Sequence, residues 1–323
     1  MAGDVAPDLW KLRPDPSDET PMLRSTARPA SITTELALLL GLATLWGASY
    51  TFIKIGVATI PPVTLMAART LLAGALLLAL ARAAGVAMPR DRATWSRLAV
   101  QACLNSVVPF TLIAWAMRGV DAGLAAILNS TTPIFAFLIT FALTRQEPAT
   151  ARKLVGVAAG LAGICLVIGA EALSGLGREV LPQLAIVAAT VAYAGAAIYG
   201  RGFQGLNPIV PAAGSLLCAA ALLVPLAAFE RPWTVMPSLA SLLALAALAV
   251  FSTALAFVVY FRLVRTLGAI GTTAQAYLRV PIGVGIGMLV LGETPSPSAW
   301  AGLALVVGGV MAMTVPARAP RTG

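Results

Sequence analysis

Three cations interrupt the apolar run of this chain. Lys54, Arg69 and Arg279 each fall inside a long apolar stretch. A charge inside a bilayer is costly, so each marks a candidate functional position. Arg279 stands near the middle of its stretch, and Gln275 lies one turn earlier on the same helix face. A guanidinium placed there would pair with a carboxylate or phosphate of a substrate. Equally, it would cap carbonyls freed near Pro281 or reach back to the interface. Trp46, Tyr50 and Lys54 recur every four residues and share one helix face. That stripe would offer aromatic faces and a cation to an anionic ligand. The plainer reading is that Trp46 and Tyr50 pack, while Lys54 and Arg69 reach the interface. Asn105 and Asn129 add uncharged polar groups to apolar stretches. The substrate-binding candidates are therefore Trp46, Tyr50, Lys54, Arg69, Asn105, Asn129, Gln275 and Arg279. Pro133 and Pro281 are hinge candidates, with a packing kink as the alternative.

What is missing is as informative. The chain has no histidine, and so lacks the commonest general base and zinc ligand. Asp121, Glu147, Glu171, Glu230 and Glu293 all fall at the ends of apolar stretches or between them. A proton relay normally uses acids within the membrane. The expectation is a facilitator or exchanger, and not a cation-selective exporter. Cys103, Cys165 and Cys218 lie in three different stretches without a pairing motif and read as small packing residues. No metal-binding cluster, nucleotide loop or nucleophile elbow is present. No metal, no cofactor and no enzymatic activity are expected.

These residues ride on ten apolar segments, each about 20 residues long, as a membrane-spanning helix requires. The spans read as Leu36–Gly56, Val63–Arg82, Trp95–Met117, Ala122–Leu143 and Leu154–Glu171, then Val180–Gly200, Pro208–Phe229, Leu239–Phe261, Gly268–Leu291 and Ala299–Val315. The chain is 59% hydrophobic and only 11% charged, and its mean hydropathy is +0.88. A soluble domain carries about 25% charged residues. The fold class is all-α and integral to a membrane. Continuous rather than alternating hydrophobicity excludes spanning strands. Residues 1–32 are polar and Pro-rich, and read as a disordered tail.

The net charge of +9 reports topology rather than nucleic-acid binding. Of the 22 Lys and Arg, Lys54, Arg69 and Arg279 fall inside spans, and Arg118, Arg178 and Arg231 fall in alternate loops. All the others lie on the side of the two termini. Both termini are therefore expected in the cytoplasm, with some attraction to anionic membrane lipid. The Arg- and Ala-rich composition points to a bacterial cytoplasmic membrane.

The two halves resemble each other in order. Gly123 to Pro133 lines up with Gly271 to Pro281, Arg118 with Arg265, and Glu147 with Glu293. Gly156 and Gly163 match Gly302 and Gly309. Five spans per copy is an odd number, so the second copy inserts upside down. The expected domains are repeats over 33–172 and 179–316, with a short tail at 317–323. Inverted repeats build many secondary transporters, whose substrate site lies near the midplane. The glycines of the fifth and tenth spans allow close helix contact, within the chain or in a homodimer.

Several stretches together resemble the EamA-type transporters of the drug/metabolite transporter superfamily. They are Trp46-Gly47-Ala48-Ser49-Tyr50-Thr51-Phe52-Ile53-Lys54, Pro61-Pro62, Ala67-Ala68-Arg69-Thr70, Thr132-Pro133-Ile134-Phe135, Leu291-Gly292-Glu293 and the glycines from Gly302 to Gly309. The resemblance covers about Glu35 to Val315. It implies a ten-helix carrier of two repeats that moves a small metabolite, often an amino acid outward, by alternating access. Two positions depart from the pattern. Thr144-Arg145-Gln146-Glu147 stands where Leu-Gly-Glu is usual, and Arg279 stands two residues before Pro281, where a small or apolar residue is usual. A membrane enzyme, a pore and a non-transporting sensor are the readings from other classes. Export of a cationic, drug-like compound is the alternative within transport.

Overall fold

The structure, a computed structural model, describes residues 32–143, 150–168, 180–203, 205–266 and 275–314. The two tails, Glu147, Glu171, the start of the ninth span at Gly268 and the 144–147 turn lie outside these residues.

The first two spans are single helices, α1 (Ile32–Gly56) and α2 (Pro62–Ala83). The third is α3 (Arg92–Ala102), a π turn (Cys103–Val107) and α4 (Val108–Ala116). The fourth is α5 (Ala122–Asn129) and α6 (Thr132–Leu143). The fifth to seventh are α7 (Ala151–Ile168), α8 (Val180–Gly200) and α9 (Ile209–Ala227). The eighth is α10 (Leu239–Ala249), a π turn (Val250–Leu255) and α11 (Ala256–Thr266). The ninth and tenth are α12 (Gln275–Leu291) and α13 (Pro297–Thr314). Seven of the described segments are long and apolar enough to cross a membrane. The end of the bundle where α1 begins is called proximal below, and the end where α1 stops is called distal.

Helix pairing follows the repeat. Equivalent spans meet each other, α2 against α9 and α7 against α13. The remaining pairs come in exchanged couples: α1 packs on α12, and α5 and α6 pack on α8. Likewise α4 packs on α8, and α1 packs on α10 and α11. This is the pattern of two copies related by a two-fold axis.

Glycine makes the α7–α13 pair possible. A Cβ at Gly309 would stand 2.5 Å from the Gly156 carbonyl, and one at Gly163 would stand 2.8 Å from the Gly302 carbonyl. Backbone approach this close is how small residues associate helices in lipid. These glycines therefore meet each other within one chain.

Sequence reading treats the third, fourth and eighth spans as continuous helices, and the structure interrupts all three. The fourth breaks at Ser130 and Thr131, inside the membrane, where water cannot satisfy free carbonyls. Three consecutive hydroxyls do so instead. Ser130, Thr131 and Thr132 donate to the carbonyls of Ile127, Leu128 and Asn129 at 2.6, 2.7 and 2.8 Å. The third and eighth spans, equivalent in the repeat, each carry a π turn, a feature common at functional sites.

Candidate substrate site

The break in the fourth span leaves Asn129 as the last residue of α5, buried in the bundle. Its Nδ2 donates to the Tyr50 hydroxyl of α1 at 2.5 Å. Its Oδ1 is buried without a partner. Tyr50 and Asn129 are far apart in sequence, and only the crossing of the first and fourth spans brings them together.

Arg69 lies two turns into α2 and is 6% exposed. Both π turns serve it. In the eighth span the turn places Thr253 so that its hydroxyl donates to the Leu248 carbonyl at 2.8 Å and accepts from Arg69 Nε at 3.0 Å. In the third span the turn is followed by Phe110, whose ring centre lies 3.9 Å from the Arg69 guanidinium carbon. Arg69 Nη1 also points at Met66 Sδ at 3.8 Å. A desolvated cation over an aromatic face is held by about 2 kcal/mol. A guanidinium carries about five N–H donors, so these contacts leave others available for a ligand. Tyr193 of α8 packs edge-on against Phe110, with ring centres 6.5 Å apart.

Arg279 enters from the second repeat. α1 and α12 cross at glycines: a Cβ on Gly47 would lie 3.0 Å from the Arg279 carbonyl, and one on Gly283 would lie 3.3 Å from the Gly47 carbonyl and 3.1 Å from Ala126 of α5. The crossing sets Arg279 beside the first and fourth spans. Tyr193 lies within electrostatic reach of Arg69, Arg279 and Tyr50. Arg279 Nε and Gln275 Oε1 are buried and unpaired.

Four of the sequence candidates, Tyr50, Arg69, Asn129 and Arg279, thus belong to one neighbourhood drawn from both repeats. Gln275 stands one turn below Arg279. Trp46, Asn105 and Lys54 lie elsewhere. Trp46 packs toward the proximal end against Phe257 and Tyr260, at 6.4 and 5.6 Å between ring centres. Asn105 sits half-buried in the π turn of the third span. Lys54 donates to the Val120 carbonyl at 2.7 Å and lies 4.0 Å from Asp121 at the distal end. The stripe of Trp46, Tyr50 and Lys54 is real as a helix face, yet its members serve three different levels of the bundle.

The two prolines, equivalent in sequence, differ in place. Pro133 opens α6 just after the break, whereas Pro281 sits inside α12. Phe110, Thr253 and Tyr193 border this neighbourhood and are absent from the candidate set. Thr253 and Tyr193 each left one signal, a hydroxyl in mid-span; Phe110 left none. Among the described residues no three His, Cys, Asp or Glu side chains gather to hold a metal ion.

The model of the EamA-like transporter family matches this chain twice, over residues 33–169 and 181–315. The chain belongs to the EamA-like transporter family. Each match spans one five-helix copy, so this EamA-like chain is a multi-pass membrane transporter built of two repeats. It is 30% identical over 282 residues to the uncharacterized inner membrane transporter YedA of Escherichia coli (strain K12), covering 86% of this chain and 89% of that one. It is 27% identical over 278 residues to a probable terminal-alkyne amino-acid exporter of Streptantibioticus cattleyicolor, covering 85% and 91%. A solved crystal structure shares the fold with a TM-score of 0.60 at 22% identity, over 87% of this chain and 96% of that one.

Proposed function

We propose that this transporter is a secondary carrier for a small carboxylate-bearing metabolite, zwitterionic or anionic and amino-acid-like. It works by alternating access between its repeats and in the direction of export. In this reading it sits in a bacterial inner membrane with both termini in the cytoplasm, as the basic loops favour.

One observation carries the substrate class. Among the described residues, the core where the repeats meet holds two guanidiniums, no carboxylate and unpaired polar atoms of both kinds. Arg279 Nε lacks an acceptor, while Asn129 Oδ1 and Gln275 Oε1 lack donors. Leaving a buried polar group unpaired costs about 1–3 kcal/mol, and more when it is charged. A carboxylate would satisfy the guanidinium groups, and an ammonium or hydroxyl would satisfy the amide oxygens. An amino acid presents both on one carbon. The amino-acid exporter among the relatives supports the same class.

The test is flux. Purified protein in liposomes would be assayed for uptake and counterflow of labelled neutral and aromatic amino acids, dicarboxylates and organic cations. Saturable counterflow of one carboxylate-bearing class, lost in Arg279→Ala, is expected. Saturable flux of organic cations alone would overturn the reading.

A further inference from the structure

We propose that Glu230 and Glu293 are gating residues. Each carboxylate holds the first turn of a helix in the opposite repeat, and both must release before the central site opens at the distal end. The proposal rests on the alternating-access reading above.

Glu293 is delivered by a tight turn. α12 ends at Leu291, and Gly292 takes a left-handed φ of +68° that a side chain would strain. The Glu293 N–H then donates back to the Gly287 carbonyl at 3.3 Å. This swings the carboxylate over the fourth span. Oε1 accepts from the Ala122 N–H at 2.6 Å, and Oε2 accepts from the Gly123 N–H at 2.8 Å. Glycines shape the space it occupies. A Cβ on Gly287 would collide with Oε2, and one on Gly123 would lie 3.3 Å from it.

Glu230 repeats the arrangement on the second span. Oε1 accepts from the Val63 N–H at 3.1 Å, and Oε2 accepts from the Thr64 N–H and hydroxyl at 2.7 and 2.8 Å. The residue after it, Arg231, adopts a left-handed φ of 52°. A non-glycine residue there stores strain, as switch regions do. At the same end of the bundle, Thr59 donates to Ser241 Oγ at 2.8 Å, and Ser241 donates to the Ile55 carbonyl at 2.8 Å.

Ordinary helix caps are local. α3 is capped by its own Asp91, and α10 by its own Ser238. At α2 and α5 the residues in that place, Pro61 and Asp121, make no side-chain cap. Aspartate is among the best N-cap residues, yet Asp121 leaves its helix to Glu293. Two carboxylates thus compete for one helix start. With Glu293 in place the repeats are tied together. With Glu293 withdrawn, Asp121 caps α5 locally and the helix end stays satisfied while the repeats part. This is a bistable element of the kind that switches require.

The test needs no substrate. Full-length protein with Cys103, Cys165 and Cys218 changed to Ser, and Asn129→Cys added, would be placed in right-side-out and inverted vesicles. Labelling by a charged, membrane-impermeant maleimide would be timed from each face. Glu293→Ala with Glu230→Ala is expected to speed labelling from the distal face about tenfold or more, the effect of a 1.4 kcal/mol shift in opening. Gly287→Ala, which displaces the carboxylate without altering it, is expected to act in the same direction. Asp121→Ala is expected to slow distal labelling. Unchanged distal labelling in both Glu293→Ala and Gly287→Ala overturns the proposal, as does an equal rise from both faces, the mark of a loosened fold. Missing flux in the native chain, with faster distal labelling in the variants, would instead overturn the carrier reading and leave the gate intact.

Discussion

The centre and the distal end of this bundle treat polar groups in opposite ways. At the distal end Glu230, Glu293, Lys54, Thr59 and Ser241 all have partners at hydrogen-bond distance. In the centre Arg279 Nε, Asn129 Oδ1, Gln275 Oε1 and Ser252 Oγ are buried and have none. Apolar surroundings penalise an unpaired group wherever it sits. Toward the distal end Gln183 Oε1, one turn into α8, is also buried without a partner, while the two carboxylates avoid that cost. A complete network rigidifies, while an incomplete one waits for its missing member. The distal end is held shut until its caps release, and the centre is built to be filled.

That contrast makes distinct predictions for the two regions. Arg279→Ala should have the largest effect on transport, lowering kcat/KM by about 10- to 100-fold, the range for hydrogen bonds to a charged group. Counterflow in liposomes measures it, and a thermal transition moved by no more than a few degrees would show that the fold survives. Tyr50→Phe comes next. It strips Asn129 Nδ2 of its acceptor, and the expected rise in KM is about tenfold, matching a penalty of about 1.4 kcal/mol.

Distal substitutions should read out differently. Glu293→Gln keeps one acceptor and loses the charge, so it should lower thermal stability by about 1 kcal/mol while leaving KM within about threefold. A large KM change there would erase the contrast. Lys54→Met should be the mildest. A partly exposed lysine on one carbonyl and a distant carboxylate contributes about 1 kcal/mol or less, and KM should not move. If Lys54→Met instead abolished saturable flux, the stripe of Trp46, Tyr50 and Lys54 would regain its place in the substrate path.

A separate prediction concerns the frame that carries both regions. Gly309→Leu should prevent α13 from seating on α7, because its first atom would press on the Gly156 backbone. Overpacking costs about 1–3 kcal/mol where side chains can yield, and backbone cannot. Loss of a cooperative thermal transition in detergent is the expected result.

Much of this was legible in the chain before folding. Hydropathy over 20 residues placed the helices, because a span must bury its own backbone groups and signals this by composition. The pairing of Glu147 with Glu293, and of Gly156 and Gly163 with Gly302 and Gly309, exposed the repeat. Intramembrane charge singled out Arg69 and Arg279 by cost alone. Helical periodicity put Tyr50 and Lys54 on one face, and it could go no further. Tyr50 meets Asn129 and Lys54 meets Val120 because different helices pass each level of the bundle. The role of Glu293 was hidden for the same reason. As sequence it is an acid at a span end, and it becomes a cross-repeat cap only when Gly292 turns it toward α5.

Local chemistry therefore determined the class, the spans, the repeat and the costly residues, since each depends on neighbours within a turn or two. Tertiary packing alone decided which of those residues share a site. Two π turns aim Thr253 and Phe110 at Arg69, a break in the fourth span ends α5 at Asn129, and paired glycines bring α12 against α1. Each is a small departure from regular helix, set by the neighbour it must meet, and a single chain cannot announce its neighbour in advance.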